Sequence, residues 1–172
     1  MTKHVIVILC CVTCFIAACV KDKPNPVSHQ LPNTTHRGML LCNEGAYGNN
    51  NGELSFLDLE NHTLYNDLFR TANAKSLGDI VQSVSFINGL YYVVVNHSNK
   101  IVIVDPFTFK ELNSIPVQSP RLITQVSPGK AYISCLYFPR IYVLDLNTNT
   151  IINTITTDHP NTEQMRCRNG AC

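Results

Sequence analysis

The stretch KIVIVDPFTFKELNSI, Lys100 to Ile115, returns forty residues later as RIYVLDLNTNTIINTI, Arg140 to Ile155. Both set a basic residue before four strand-forming residues, then an Asp, a Thr three positions on and an Ile ten after the Asp. A third copy runs through ELSFLDLENHTLYNDLF, Glu53 to Phe69. The aspartates Asp58, Asp105 and Asp145 are 47 and 40 residues apart. Ahead of the copies stands a second signal, two alternating apolar runs around a turn. Asn88-Gly89 in SVSFINGLYYVVVN marks a two-residue hairpin, and Pro128-Gly129 in TQVSPGKAYISCLY does the same. Weaker starts lie at Gly38 and Asn169-Gly170, so the expected turn glycines are spaced by 51, 40 and 41 residues.

A period of about 40 to 45 residues with four short strands per unit matches a propeller blade. One such sheet has two faces and little core of its own, so it must stack against neighbours of the same kind. The expected fold is all-β: β-propeller blades of four antiparallel strands, about three blades plus the start of a fourth, an incomplete propeller over residues 36–172. A β-sandwich is the structural alternative. Two insertions, AYGNNNGE and RTANAKSLGDIVQ, lengthen the first spacing, and no amphipathic helix of useful length is evident. The Asp and Thr of DPFT and DLNT suit side-chain capping of a tight turn. Three blades do not close a ring, and uncovered strand edges invite association. The sequence thus reads as the front part of a longer propeller, with an open propeller completed by another chain as the alternative.

The front end has a different character. Residues 1–18 hold a short polar start and the apolar run VIVILCCVTCFIAA, the pattern of a signal peptide rather than a membrane span. The run stops in IAAC, and small residues before Cys19 fit the lipobox of bacterial lipoproteins, where that cysteine is acylated. Residues 19–35 are rich in Pro and Asn and read as a flexible tether. Four cysteines then remain, Cys42, Cys135, Cys167 and Cys172. An exported protein permits disulfides, but their pairing is open. No clustered cysteines or histidines suggest zinc, and no metal or cofactor is expected. Without Lys3 the acidic and basic residues balance, and no basic stripe points to nucleic acid.

LLCNEGAYGNNNGELSFLD, SLGDIVQSVSFINGLYYVVVNHSNKIVIVD, SPRLITQVSPGKAYIS and TEQM together resemble the YncE-like β-propeller lipoproteins of gut-type Gram-negative bacteria. The resemblance covers about Gly38 to Met165. It implies an exported, lipid-anchored propeller at the outer membrane, on the cell surface or facing the periplasm. It further implies capture of a vitamin B12-type corrinoid for a TonB-dependent outer-membrane transporter. The family's propellers are about twice as long, which puts in doubt whether this chain works alone.

Propeller ligands lie across one end of the ring, on loops between neighbouring strands. Those loops are expected to carry Asn43, Glu44 and Tyr47, then Asn73, Asp79 and Gln82, then Asn96, Arg121 and Tyr137, with Glu163 and Gln164 at the start of the next blade. Of these, Asn43, Glu44, Tyr47, Asn73, Gln82, Asn96, Arg121, Tyr137 and Gln164 form the candidate ligand-binding set. Amides, phenols and a guanidinium complement an amide-rich macrocycle. No catalytic residues are expected: hydrolase elbows, zinc helices and phosphate loops are missing, and the histidines His29, His36, His62, His97 and His159 are scattered. An envelope protein-interaction propeller without a small ligand, or a non-functional fragment, is the alternative. A propeller enzyme is the third reading.

Overall fold

A computed structural model describes residues 27–166. The expected signal segment, Cys19, Cys167, Cys172 and the turn at Gly170 lie outside the described residues. Twelve strands form three four-stranded sheets. The first holds β1 (Val27–Ser28), β2 (Gly38–Asn43), β3 (Glu53–Asp58) and β4 (Thr63–Tyr65), in the order β1-β4-β3-β2. The second runs β5 (Val81–Ile87), β6 (Leu90–Val95), β7 (Lys100–Val104) and β8 (Glu111–Pro116) in chain order. The third, β9 (Pro120–Ser127), β10 (Lys130–Cys135), β11 (Arg140–Asp145) and β12 (Thr150–Thr156), repeats the second. The fold is all-β, three blades of a partial propeller.

Alternation explains the stacking. A strand turns successive side chains to opposite faces. In β6, Tyr92 and Val94 enter a core shared with the third sheet, whereas Val93 and Val95 enter one shared with the first. In β7, Ile101 and Ile103 go one way and Val102 and Val104 the other. All eight are buried. The middle blade is thus covered on both faces, and the inner strands β5 and β9 pack side by side.

Polar bonds stitch the blades at the same joints. Ser83 and Ser85 of β5 donate their hydroxyls to the carbonyls of Arg121 and Ile123 on β9, at 2.9 and 2.8 Å. Asn96 donates its amide to the Pro120 carbonyl at 2.8 Å. The repeated aspartates sit in the turns after the third strand of each blade. Asp105 accepts from the N–H groups of Phe107 and Thr108, Asp58 from those of Glu60 and Asn61, and Asp145 from that of Asn147.

Three features depart from expectation. Gly38 is not a turn glycine: it is the first residue of β2, paired with Asp58. A Cβ there would lie 2.1 Å from Cζ of Phe56, so a close-packed ring is what requires glycine. Asn88-Gly89, with φ of 49° and 82°, does form the expected tight turn. Second, the insertion before β5 contains a short helix, α1 (Leu68–Asn73), whose Leu68, Phe69 and Ala72 cap the core between the first two blades. Third, Val27–Ser28, inside the segment read as a tether, pairs in parallel with β4 and forms the outer strand of the first blade.

Asn96 is 8% exposed, and its loss would leave the Pro120 carbonyl without that partner at the joint of two blades. Asn96→Ala should cost about 1–3 kcal/mol, read as a lower urea midpoint. A second prediction concerns pH. Burial alone would raise the carboxyl of Asp58, but the His36 ring and the Asn61 and Glu60 N–H groups outweigh it and hold it at about 2. The Asp58 hydrogen bond, at 2.7 Å, outweighs burial at His36 and raises that imidazole above 6.5. The depressed carboxyl stabilises the fold fully above 3.8 and loses that contribution as pH falls towards about 2. The raised imidazole contributes fully below 6.5 and loses it as pH rises through its folded value. The stability gap between the native chain and His36→Asn should therefore be widest between 3.8 and 6.5 and close on either side, in urea titrations across pH.

Candidate ligand-binding face

Strand direction gathers the candidate loops. Val81 at the start of β5 pairs with Val95 at the end of β6, and Lys100 at the start of β7 with Pro116 at the end of β8. The start of β9 likewise meets the end of β10 at Pro120 and Cys135. Loops β2–β3, β6–β7 and β10–β11, together with the chain entering β5 and β9, therefore share one end of the stack. Asn43, Glu44, Tyr47, Gln82, Asn96, Arg121, Tyr137 and Gln164 all belong to that end.

Three of them converge. A cleft of about 330 Å³ opens where β5 and β9 begin and segment 163–166 passes beside them, and Gln82, Arg121 and Gln164 all line it. Arg121 donates through Nη1 to Oε1 of Gln82 at 2.5 Å, and its Nη2 lies 3.4 Å from Oε1 of Glu163. The Arg121 side chain is 21% exposed, so the guanidinium is half-enclosed yet faces the opening. Met165 and Leu122 add apolar surface. The site offers a fixed cation, two primary amides and a carboxylate, a set that binds amides and carboxylates by paired hydrogen bonds.

The other candidates divide. Tyr47 is 75% exposed and Tyr137 70%, so both rings are available at this end. Glu44 is exposed too. Asn43 donates to the Ser55 hydroxyl at 2.7 Å. Asn96 is tied up at the blade joint described above. Asn73 belongs elsewhere: its amide donates to the carbonyls of Phe69 and Phe109 and accepts from the N–H of Glu111, which fastens α1 to the β7–β8 turn at the opposite end. These placements share a cause, since a short amide in a loop serves a neighbouring protein group as readily as a ligand.

A second polar group was not legible in the scattered histidines. His97 Nδ1 lies 2.5 Å from Oδ2 of Asp79, which also accepts from Gly48 N–H at 2.8 Å. Burial pushes the Asp79 carboxyl up, but the Gly48 N–H and the His97 ring more than offset it, so it stands below the usual range. The Tyr47 ring lies 4.3 Å from that of His97. This group locks the β2–β3 loop onto the second blade. Among the described residues no group of three or more His, Cys, Asp or Glu is placed to hold a metal. Cys42 and Cys135 are free thiols, and burial pushes both up to about 11, away from the reactive thiolate.

One comparison with a solved structure agrees with this architecture. No curated protein matches the sequence. Among solved structures, a quinonprotein alcohol dehydrogenase-like protein from Bacteroides thetaiotaomicron is 21% identical, with a TM-score of 0.55, over 72% of this chain and 29% of that one. Hydrazine synthase from Kuenenia stuttgartiensis matches at 20% identity and a TM-score of 0.48, over 63% of this chain and 30% of that one. Apo AztD from Citrobacter koseri matches at 14% identity and 0.45, over 66% and 32%. The first likeness is one of fold, and the chain spans less than a third of the length of each structure. Residues 37–171 match the family described as "Domain of unknown function (DUF5074)", and the protein belongs to that family.

Proposed function

We propose that the chain is a binding propeller, or the front part of one, that holds a small amide- or carboxylate-rich ligand over the cleft at the start of its inner strands. The carrying observation is the convergence of Gln82, Arg121 and Gln164 on one opening. A corrinoid is the ligand we favour, because its amide side chains match these groups. The exposed rings of Tyr47 and Tyr137 at the same end suit a flat macrocycle. At this volume the cleft would grip one edge of such a molecule rather than enclose it. With the lipobox at Cys19 and the resemblance to YncE-like lipoproteins, this reading places the protein on the outer membrane. There it would pass its ligand to a TonB-dependent transporter. On this reading the chain binds and does not catalyse.

Titration of the purified protein with cobinamide or cobalamin, followed by visible absorbance, tests the proposal. Saturable binding is expected, and Arg121→Ala should weaken it about tenfold or more, the scale of one lost bond to a charged group. No spectral change with either corrinoid removes the corrinoid reading and favours a protein-interaction propeller.

A further inference from the structure

One imidazole at the binding end is oriented for a role that the cleft does not use. His97 lies in the β6–β7 loop, and its Nδ1 meets Oδ2 of Asp79 at 2.5 Å. The Asp79 carboxyl stands below its usual range, so near neutral pH it is ionised and only accepts hydrogen bonds. Nδ1 therefore carries the proton, and the neutral ring keeps its lone pair on Nε2. Nε2 meets no hydrogen-bond partner among the described residues, and the His97 side chain is 44% exposed.

The surroundings hold this ring firmly. The Asp79 side chain is 8% exposed, and its Oδ1 is buried with no donor among the described residues, so much of its charge bears on the imidazole. The Tyr47 ring packs against the imidazole, with 4.3 Å between centroids and a tilt of 38°. Next to Asp79, Ile80 adopts a φ of 57°, a left-handed backbone that a β-branched residue rarely takes. Asn96 N–H donates to the Ile80 carbonyl at 2.9 Å and keeps it there. A latch for the β2–β3 loop needs Nδ1 alone. A carboxylate behind one nitrogen, with the other open, is how proteins orient a metal-ligating histidine and raise its basicity. Yet among the described residues no group of three or more His, Cys, Asp or Glu is placed to hold a bare ion. A metal that docks here must bring its own in-plane ligands and leave an axial position open.

We infer that Nε2 of His97 is an axial ligand for the metal of a planar chelate whose rim is gripped by the Arg121 cleft. This rests on the binding function proposed above and adds the bond that holds the centre of the ligand. The two anchors are neighbours: Asn96 donates to the Pro120 carbonyl, and His97 and Arg121 are the residues that follow that bonded pair. The step is a ligand exchange. A metal–water bond breaks, a metal–Nε2 bond forms and the water leaves, with no change in oxidation state and no proton moved. A cobalt corrin and an iron porphyrin share this chemistry, one with amides on its rim and the other with carboxylates.

Cobinamide, which carries no nitrogen base of its own, tests this, with haemin as the second arm. Binding to the full chain is measured by equilibrium dialysis, and the axial ligand by electron paramagnetic resonance of the bound cobalt(II) form. One axial nitrogen of the common isotope should split each cobalt line into three, and into two when the histidines of the chain carry the heavier isotope. His97→Gln, whose amide still donates to Asp79, should bind cobinamide without any splitting. Haemin bound in place of cobinamide, with an absorbance change that His97→Gln loses, keeps the assignment and makes the macrocycle a porphyrin. Cobinamide bound without splitting, or with splitting that survives in His97→Gln, overturns the inference and leaves the binding function of the cleft standing. A native chain that binds neither compound overturns both.

Discussion

Everything in this molecule follows from the two apolar faces of a short four-stranded sheet. A sheet with only one apolar face can turn the other to water. These blades cannot, because β6 and β7 put branched side chains on both sides. Each buried side chain of this size contributes roughly 1.5–3 kcal/mol relative to exposure. That gain exists only while a neighbouring blade is in place. Stability is therefore a property of blade pairs, and among the described residues the middle blade is the one packed on both faces.

The same constraint explains how much the sequence disclosed. A stack must present the same surface at every joint, so the residues that form the joint recur at a fixed spacing. Alternation in β6 and β7, the Asp105 and Asp145 turns and the Asn88-Gly89 hairpin were all visible for that reason. What escaped was local and non-periodic. Gly38 carries the same letter whether it makes a turn or admits the Phe56 ring, and only the ring's position distinguishes them. Helix α1 is six residues long, too short to show a helical period, with left-handed residues at both caps. Strand β1 has two residues and a partner nearly forty positions away.

The candidate site was legible by location and not by role. Eight of the nine ligand candidates fall at one end of the stack, and Asn73 falls at the other. Loop composition did not separate Arg121, which faces a cleft, from Asn96, which holds a carbonyl at a joint. Both are polar residues next to a strand end. The difference lies in what the neighbouring blade places opposite them, and a linear pattern of residue types does not carry that information. The pairing of His97 with Asp79 escaped for the same reason, since the two come from different loops.

The walls of the cleft differ in how firmly they are held. Two walls of the cleft, β5 and β9, are fixed by hydrogen bonds within finished blades. The third wall, segment 163–166, is held through Ser134 and through Glu163 beside Arg121, with no sheet of its own among the described residues. Ordering a loose wall when a ligand arrives costs conformational entropy that is deducted from affinity.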